Sequence, residues 1–212
     1  MSGAVTLAIL LALAALPMAF AYLFIAHRRP DFVPQRFFLG AAVGILAVIP
    51  AAFLQILMPR PSTGFSALLF SAFIVIAATE ELAKYAALRL SRRFLGGRSD
   101  DGAPAGMAAS LGFALFETAA YASTDLGIAL IRAVTAAPLH AACGARVGKA
   151  AFAPRPLAPK PLISLLSAIA IHGVYDLALV LPGYSALLPV ALAFLALASA
   201  LPLLRTENSG DF

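Results

Sequence analysis

The sequence predicts an all-α fold, a polytopic bundle of about seven transmembrane helices. Two observations carry this prediction. Of the 212 residues, 62% are hydrophobic and only 12% are charged, and apolar runs of about 20 residues recur along the whole chain. Continuous runs rich in Ala and Leu favour helices over a membrane barrel, whose strands alternate in polarity over about ten residues. Residues 1–212 are therefore expected to form a single integral membrane domain.

The apolar runs define seven predicted spans, with six or eight as the alternatives. They cover residues 4–26, 37–58, 66–90, 105–123, 126–148, 161–181 and 184–204. No basic residue precedes the first run and "HRRP" follows it, so we expect a retained anchor and not a cleaved signal peptide. The single cysteine, Cys143, excludes an intrachain disulfide.

The basic residues predict the orientation of the spans. They follow spans one, three and five, as Arg28, Arg29 and Arg36, then Arg92, Arg93 and Arg98, then Lys149, Arg155 and Lys160. Because Lys and Arg concentrate in cytoplasmic loops, the N-terminus is expected outside and the C-terminus in the cytoplasm. The net charge of +5 thus reports topology, and no nucleic acid is expected as a partner. We expect a multi-pass protein of the cell membrane, in a bacterium the inner membrane, with the lipid bilayer around it.

Charged residues and histidines that lie more than two residues from the end of a predicted span are confined to spans three to six. They are Glu80, Glu81 and Lys84 on span three, Glu117 on span four, Arg132 and His140 on span five, and His172 and Asp176 on span six. A charged residue at the centre of a lipid-facing helix costs about 2.5–3.5 kcal/mol, so these side chains are expected to converge inside the bundle. The functional core is accordingly placed at about residues 66–181, and spans 4–58 and 184–204 are expected to be scaffold.

Helical spacing pairs the acidic residues with neighbours. Lys84 lies four residues after Glu80 and three after Glu81, so it can reach either carboxylate and leave the other acid for a different role. Glu117 lies four residues before Tyr121, on the same helix face. The alternatives are an internal salt bridge for the first group and, for Glu117, a protonated acid bonded to a neighbouring helix.

The histidines are candidate metal ligands or acid–base groups. Asp176 lies one turn after His172 and is expected to orient its imidazole. Pro138, just before His140, is expected to bend span five. Two histidines and one carboxylate with an open position is the arrangement of catalytic zinc. Glu117, His140 and His172 are therefore the predicted zinc ligands, with a packed, hydrogen-bonded histidine as the alternative for His140.

Two further groups in span five have open roles. Arg132 is expected to pair with a carboxylate or to hold a substrate carbonyl, with snorkelling towards the surface as the alternative. Cys143, three residues after His140, is either a thiolate nucleophile or soft ligand, or a small buried residue. A uniform rise of about 1.5 Å per residue places Glu80 level with His140, and it places span-four and span-six groups one or two turns nearer the outer side.

Four short motifs on consecutive spans resemble those of a known family. They are "EELAK" (80–84), "FALFE" (113–117), an arginine followed by "PLH" (138–140), and "HGVYD" (172–176). Over about residues 70–180 the chain is similar to the PrsW family of intramembrane proteases, which belongs with the CAAX prenyl endopeptidases and the Abi proteins. The CAAX and Abi branch usually carries arginine and histidine where Lys84 and Glu117 stand, which favours the PrsW branch. Asp176 stands where asparagine is often found.

The resemblance implies hydrolysis of a peptide bond within the membrane, in a single-pass substrate such as an anti-sigma factor. In the predicted mechanism Glu80, with Glu81 beside it, is the general base, and the predicted ligands hold a zinc ion that polarises water and the scissile carbonyl. Asp176 orients His172. A metal-free version keeps the same residues: a glutamate and His140 activate water, and His172 with Asp176 stabilises the oxyanion.

Three other functions are alternatives: two follow from the residues, and the CAAX-type endopeptidase follows from the resemblance. A proton- or cation-coupled transporter also uses chains of Glu, His and Asp within the membrane, although it needs a polar path to both membrane faces. A CAAX-type prenyl-protein endopeptidase is the second. A non-catalytic scaffold that recruits helices through Ala and Gly surfaces is the third, but it has no need of clustered acids and histidines.

Overall fold

The computed structural model describes residues 3–59, 63–121, 125–181 and 187–205, and the regular elements within these ranges are all helical. The helices are α1 (Gly3–Arg28), α2 (Pro34–Leu57), α3 (Phe65–Phe70), α4 (Thr79–Ser91), α5 (Gly102–Tyr121), α6 (Leu126–Val134), α7 (Ala136–Phe152), α8 (Pro159–Val180) and α9 (Leu187–Ala200). A π-helical segment, Ser71–Ala78, joins α3 to α4. The predicted all-α class is confirmed for these residues.

Five helical stretches within the described residues are long and apolar enough to cross a membrane. They are Ala4–Arg28, Pro34–Leu57, Phe65–Ser91, Pro159–Val180 and Leu187–Leu204. α6 and α7 make a sixth candidate if the 41° bend between them lies within one span. α5, at 20 residues, is long enough but is not among these stretches. The count of seven spans and the orientation of the termini stay predictions.

The bend between α6 and α7 follows from Pro138. Proline has no N–H, and its ring clashes with the carbonyl four residues earlier, here that of Val134. The chain leaves the helical region at Thr135 (φ −120°, ψ −67°), and α7 starts at the next residue. The bend that the sequence predicted for this span is confirmed by the 41° angle.

α5 and α7 form the buried centre of the bundle. α5 packs against α1, α2 and α7, and α7 packs in addition against α4, α8 and α9. Glycines permit the close approach of the two central helices, because a Cβ atom on Gly106 would lie 2.7 Å from the backbone N of Gly148. Small residues commonly mediate such contacts between membrane helices. The contact explains why α5 is poor in large apolar residues, and it places His140 of α7 beside Glu117 of α5.

The π-helical segment directs the acidic pair of α4 towards α8. It ends at Ala78, and the hydroxyl of Thr79, the first residue of α4, donates to the carbonyls of Val75 (2.5 Å) and Ile76 (3.0 Å). On α8, Gly173 allows the ring of Phe73 to pack closely, since a Cβ atom there would lie 2.5 Å from the ring. π-Helical turns occur frequently at functional sites. Here the turn directly precedes the two glutamates and packs beside a histidine.

Candidate catalytic centre

Four buried side chains from three helices meet inside the bundle. Glu80 and Glu81 lie in the first turn of α4, His140 lies in α7 and His172 lies in α8. Each is at most 4% exposed. One potential ligand atom from each residue lies within 4.8 Å of those of the other three. These four residues, called the acid–histidine cluster below, show that predicted spans three, five and six converge.

Lys84 brings a positive charge to the acid–histidine cluster. Its ammonium lies 2.8 Å from Glu81 Oε1 and 3.5 Å from Glu80 Oε2, and 3.2 Å from His140 Nδ1. It also lies 4.1 Å from the centre of the Phe113 ring, an arrangement that stabilises a cation. The side chain is fully buried, so its charge depends on the carboxylates beside it. The lysine therefore reaches both acids, where spacing alone left the choice open.

His172 has a carboxylate near each of its ring nitrogens. Nδ1 lies 2.7 Å from Glu81 Oε1. Nε2 lies 3.5 Å from Asp176 Oδ2 and 4.0 Å from Glu80 Oε2. The aspartate is thus within ion-pair distance of the imidazole, on the side away from Glu81, as the spacing of the two residues predicted.

On the side away from the acid–histidine cluster, His140 contacts an ion pair formed by Glu117 and Arg132. The Nε2 of His140 lies 2.9 Å from Glu117 Oε2, and the same oxygen lies 2.8 Å from the guanidinium nitrogen Nη2 of Arg132. The Arg132 Nε donates to the Thr118 hydroxyl (3.3 Å), and the guanidinium lies 4.8 Å from the centre of the Tyr121 ring. Arg132 therefore pairs with a carboxylate and does not snorkel. Glu117 lies outside the acid–histidine cluster, and its role as a zinc ligand stays a prediction.

The two imidazoles share one pattern. In each, Nε2 faces a carboxylate that is not part of the acid–histidine cluster: Glu117 for His140 and Asp176 for His172. The Nδ1 of His140 faces Lys84, and the Nδ1 of His172 faces Glu81. Histidines that bind metal almost always give their second nitrogen to a carboxylate, a carbonyl or water, which fixes the ring orientation. Both histidines are therefore oriented as metal ligands would be.

The charges and unpaired oxygens of the region also suit a divalent cation. Glu80 Oε2 and Glu81 Oε2 are buried, and neither has a hydrogen-bond partner among the described residues. Around them the acids are Glu80, Glu81, Glu117 and Asp176, and the bases are Lys84 and Arg132. With neutral imidazoles, four acids against two bases leave two negative charges, and buried charges need compensation. Carboxylate and imidazole donors are those that zinc takes, so these residues fit a zinc ion.

Comparison with known families agrees with this geometry. Residues 30–201 match the PrsW family intramembrane metalloprotease. The chain belongs to the PrsW family. The match contains all four residues of the acid–histidine cluster. No curated protein and no solved structure matches the chain significantly.

Membership of the PrsW family makes this protein an intramembrane protease, a hydrolase that works in a lipid bilayer. The helices that can span a membrane agree with a multi-pass membrane protein. The resemblance carried by the four motifs is thereby confirmed. The family assignment also favours the protease over the transporter and the scaffold.

One feature of the site, Gln55, lay outside the sequence interpretation. Gln55 of α2 donates from Nε2 to Glu80 Oε1 at 3.3 Å. A survey of ionisable groups passes over an amide, although this is the only side chain with an N–H or O–H donor between Phe37 and Leu57. Cys143 is fully buried, and its Sγ lies 3.5 Å from the carbonyl oxygen of Ala168. This contact supports its interpretation as a small buried residue.

Proposed function

We propose that this PrsW-family protein hydrolyses a peptide bond in or near the transmembrane segment of a single-pass membrane protein, and that the acid–histidine cluster does the chemistry. The observation that carries the proposal is the convergence of two glutamates and two histidines within 4.8 Å, inside a bundle of helices long enough to span a bilayer. Hydrolysis there needs an activated water, an acid for the leaving amine and a stabiliser for the oxyanion. The resemblance adds an anti-sigma-factor-like substrate in the cell membrane.

Glu80 is the proposed general base. The Oε2 atoms of Glu80 and Glu81 both lack a hydrogen-bond partner among the described residues. Glu81 is held through Oε1 by short contacts to Lys84 (2.8 Å) and His172 (2.7 Å), whereas Glu80 Oε2 lies 3.5 Å and 4.0 Å from the same two residues. Glu80 thus has an oxygen available to accept a proton from water, and it can later give that proton to the leaving amine. The sequence left both Glu80 and Glu81 as candidates for the general base, and the contacts given above favour Glu80.

Zinc is the proposed cofactor, and Glu81, His140 and His172 are the residues that would hold it. We propose Glu81 as the carboxylate ligand in place of Glu117, because Glu117 Oε2 already contacts His140 and Arg132. When bound, zinc supplies Lewis-acid polarisation of water and of the scissile carbonyl. The carboxylates of Glu117 and Asp176 keep the imidazoles of His140 and His172 oriented.

A metal-free form of the same reaction has support from Lys84. Its ammonium lies among the proposed zinc donors, 2.8 Å from Glu81 and 3.2 Å from His140. In this form Glu80 and His140 activate the water, and His172 with Asp176 stabilises the oxyanion. The substrate and the bond that breaks are the same in both forms.

The proposed function is testable before a substrate has been identified. Membranes from cells that contain the chain are expected to show new protein N-termini in or beside transmembrane segments, because hydrolysis of a peptide bond frees one amine. Labelling of free N-termini followed by mass spectrometry identifies them. Cells with the His172→Ala chain, present in equal amount, control for indirect effects and are expected to lack these termini. A folded wild-type chain that produces none of them would contradict a protease.

A further inference from the structure

The second helix contributes a polar contact to an otherwise charged site. Gln55 is half-buried near the end of α2, and its side chain points to Glu80 on α4. A carboxylate accepts hydrogen bonds but cannot donate them. The 3.3 Å contact to Glu80 Oε1 is therefore a hydrogen bond from the amide N–H of Gln55.

Glu80 is held by weaker contacts than Glu81, so its hydrogen bond from Gln55 matters more for its position. Glu81 is held through Oε1 by two short contacts, from Lys84 at 2.8 Å and from His172 at 2.7 Å. The Oε2 of Glu80 has only longer contacts to the same two residues, 3.5 Å to Lys84 and 4.0 Å to His172. Among the described residues, Gln55 gives Glu80 its one side-chain hydrogen bond. Without it, only the longer contacts to Lys84 and His172 hold the Glu80 carboxylate.

We propose that Gln55 is a positioning residue for Glu80. By holding Oε1, the amide keeps Oε2 directed at the centre of the acid–histidine cluster, where a water molecule must lose its proton. The proposal rests on the proposed function, because it assigns Gln55 to the reaction of Glu80. The proposal assigns α2 a role in catalysis, although the sequence predicted this helix to be part of the scaffold.

An interhelical hydrogen bond that only stabilises packing is the competing explanation. Such bonds contribute little to the stability of membrane helices, and their loss affects unfolding instead of a single step of a reaction. A positioning role predicts the opposite effect. The rate of the chemical step falls, while substrate binding, metal uptake and thermal unfolding stay the same.

Gln55→Met tests the proposal, with Gln35→Met as a matched control on the exposed first turn of the same helix. The probe is a synthetic transmembrane peptide that carries a bond mapped by N-terminal labelling. We expect Gln55→Met to lower kcat about 10–100-fold, by analogy with the loss found for outer partners of metal ligands, with KM unchanged. Cobalt uptake, read by visible absorption, and the Tm are expected to match the wild type. Gln35→Met should resemble the wild type in every measurement.

The outcomes separate this proposal from the proposed function. A wild-type chain that cuts no membrane protein ends both. A wild-type chain that cuts, with Gln55→Met equally fast, ends the role of Gln55 only. Loss of cobalt uptake and of Tm together with the rate would make Gln55 a packing residue and overturn the proposal. In the Glu80→Gln background, Gln55→Met is expected to cause no further loss of kcat, and a further loss would also overturn it.

Discussion

Replacing Glu80 by glutamine is expected to lower the rate of peptide cleavage by about 10²–10⁴-fold, the contribution of a positioned acid–base group. Glutamine has nearly the same shape, and its carbonyl oxygen still accepts the hydrogen bond from Gln55, so the fold is expected to persist. It cannot take a proton from water. The rate is measured on the mapped transmembrane peptide, and thermal unfolding in detergent checks the fold.

A conservative change outside the site provides the control for this variant. Asp125 caps α6 by accepting from the N–H of Gly127 at 2.7 Å, and asparagine caps helices about as well as aspartate. Asp125→Asn is therefore expected to cleave at the wild-type rate. Wild-type cleavage by Glu80→Gln would contradict the role of Glu80, and a loss in Glu81→Gln alone would assign the base to Glu81.

Lys84→Met is expected to destabilise the protein by about 3–5 kcal/mol, the cost of removing one partner from a buried ion pair. The ammonium is fully buried and contacts both glutamates, so its loss leaves their charges uncompensated. Methionine fills a similar volume, which limits the effect of a cavity. Thermal unfolding in detergent measures the change, with Lys160→Met, exposed at the start of α8, as the control.

A second substitution separates charge from packing in this experiment. If the uncompensated carboxylate causes the loss, Lys84→Met combined with Glu81→Gln should recover much of the stability, because replacing a whole buried pair is often neutral. Unfolding of Lys84→Met at the wild-type temperature would contradict a buried charge pair. Failure of the double variant to recover would show that the lysine stem matters more than its charge.

The sequence predicted that buried ionisable residues converge, but it did not predict which of their atoms are in contact. The energetic cost of ionisable groups in lipid was enough to infer that Glu80, His140 and His172 converge, and the structure brings them together. Their partners were harder to assign. The role of Glu117 as a zinc ligand stays a prediction, and in the structure its Oε2 lies 2.9 Å from His140 Nε2.

Two departures from regular helix limit what position along the chain can predict. A uniform rise per residue predicted an offset of one or two turns between Glu117 and the groups on spans three and five. The bend of 41° after Val134 and the π-helical turn Ser71–Ala78 both change depth and direction along the chain. The effect of Pro138 was predictable in kind but not in angle. The sequence carried no signal that we recognised for the π-helical turn.

Helix–helix contacts account for the remaining differences. α5 begins at Gly102, where hydropathy predicted a span from residue 105, and the predicted end at residue 123 lies outside the described residues. Its glycines face protein and not lipid, so apolar character is a poor guide to its ends. Gln55 was passed over because an amide carries no charge, yet one amide in an apolar helix also needs a partner.

The central claim is that Glu81, His140 and His172 hold zinc beside the base Glu80. The most direct test is the metal content of the purified wild-type protein next to His140→Ala, by inductively coupled plasma mass spectrometry, with Asp125→Asn as the control. We predict close to one zinc per chain in the wild type and in the control, and loss of that zinc in His140→Ala. A folded wild-type protein without bound metal, or a His140→Ala protein that keeps its zinc, would contradict the claim.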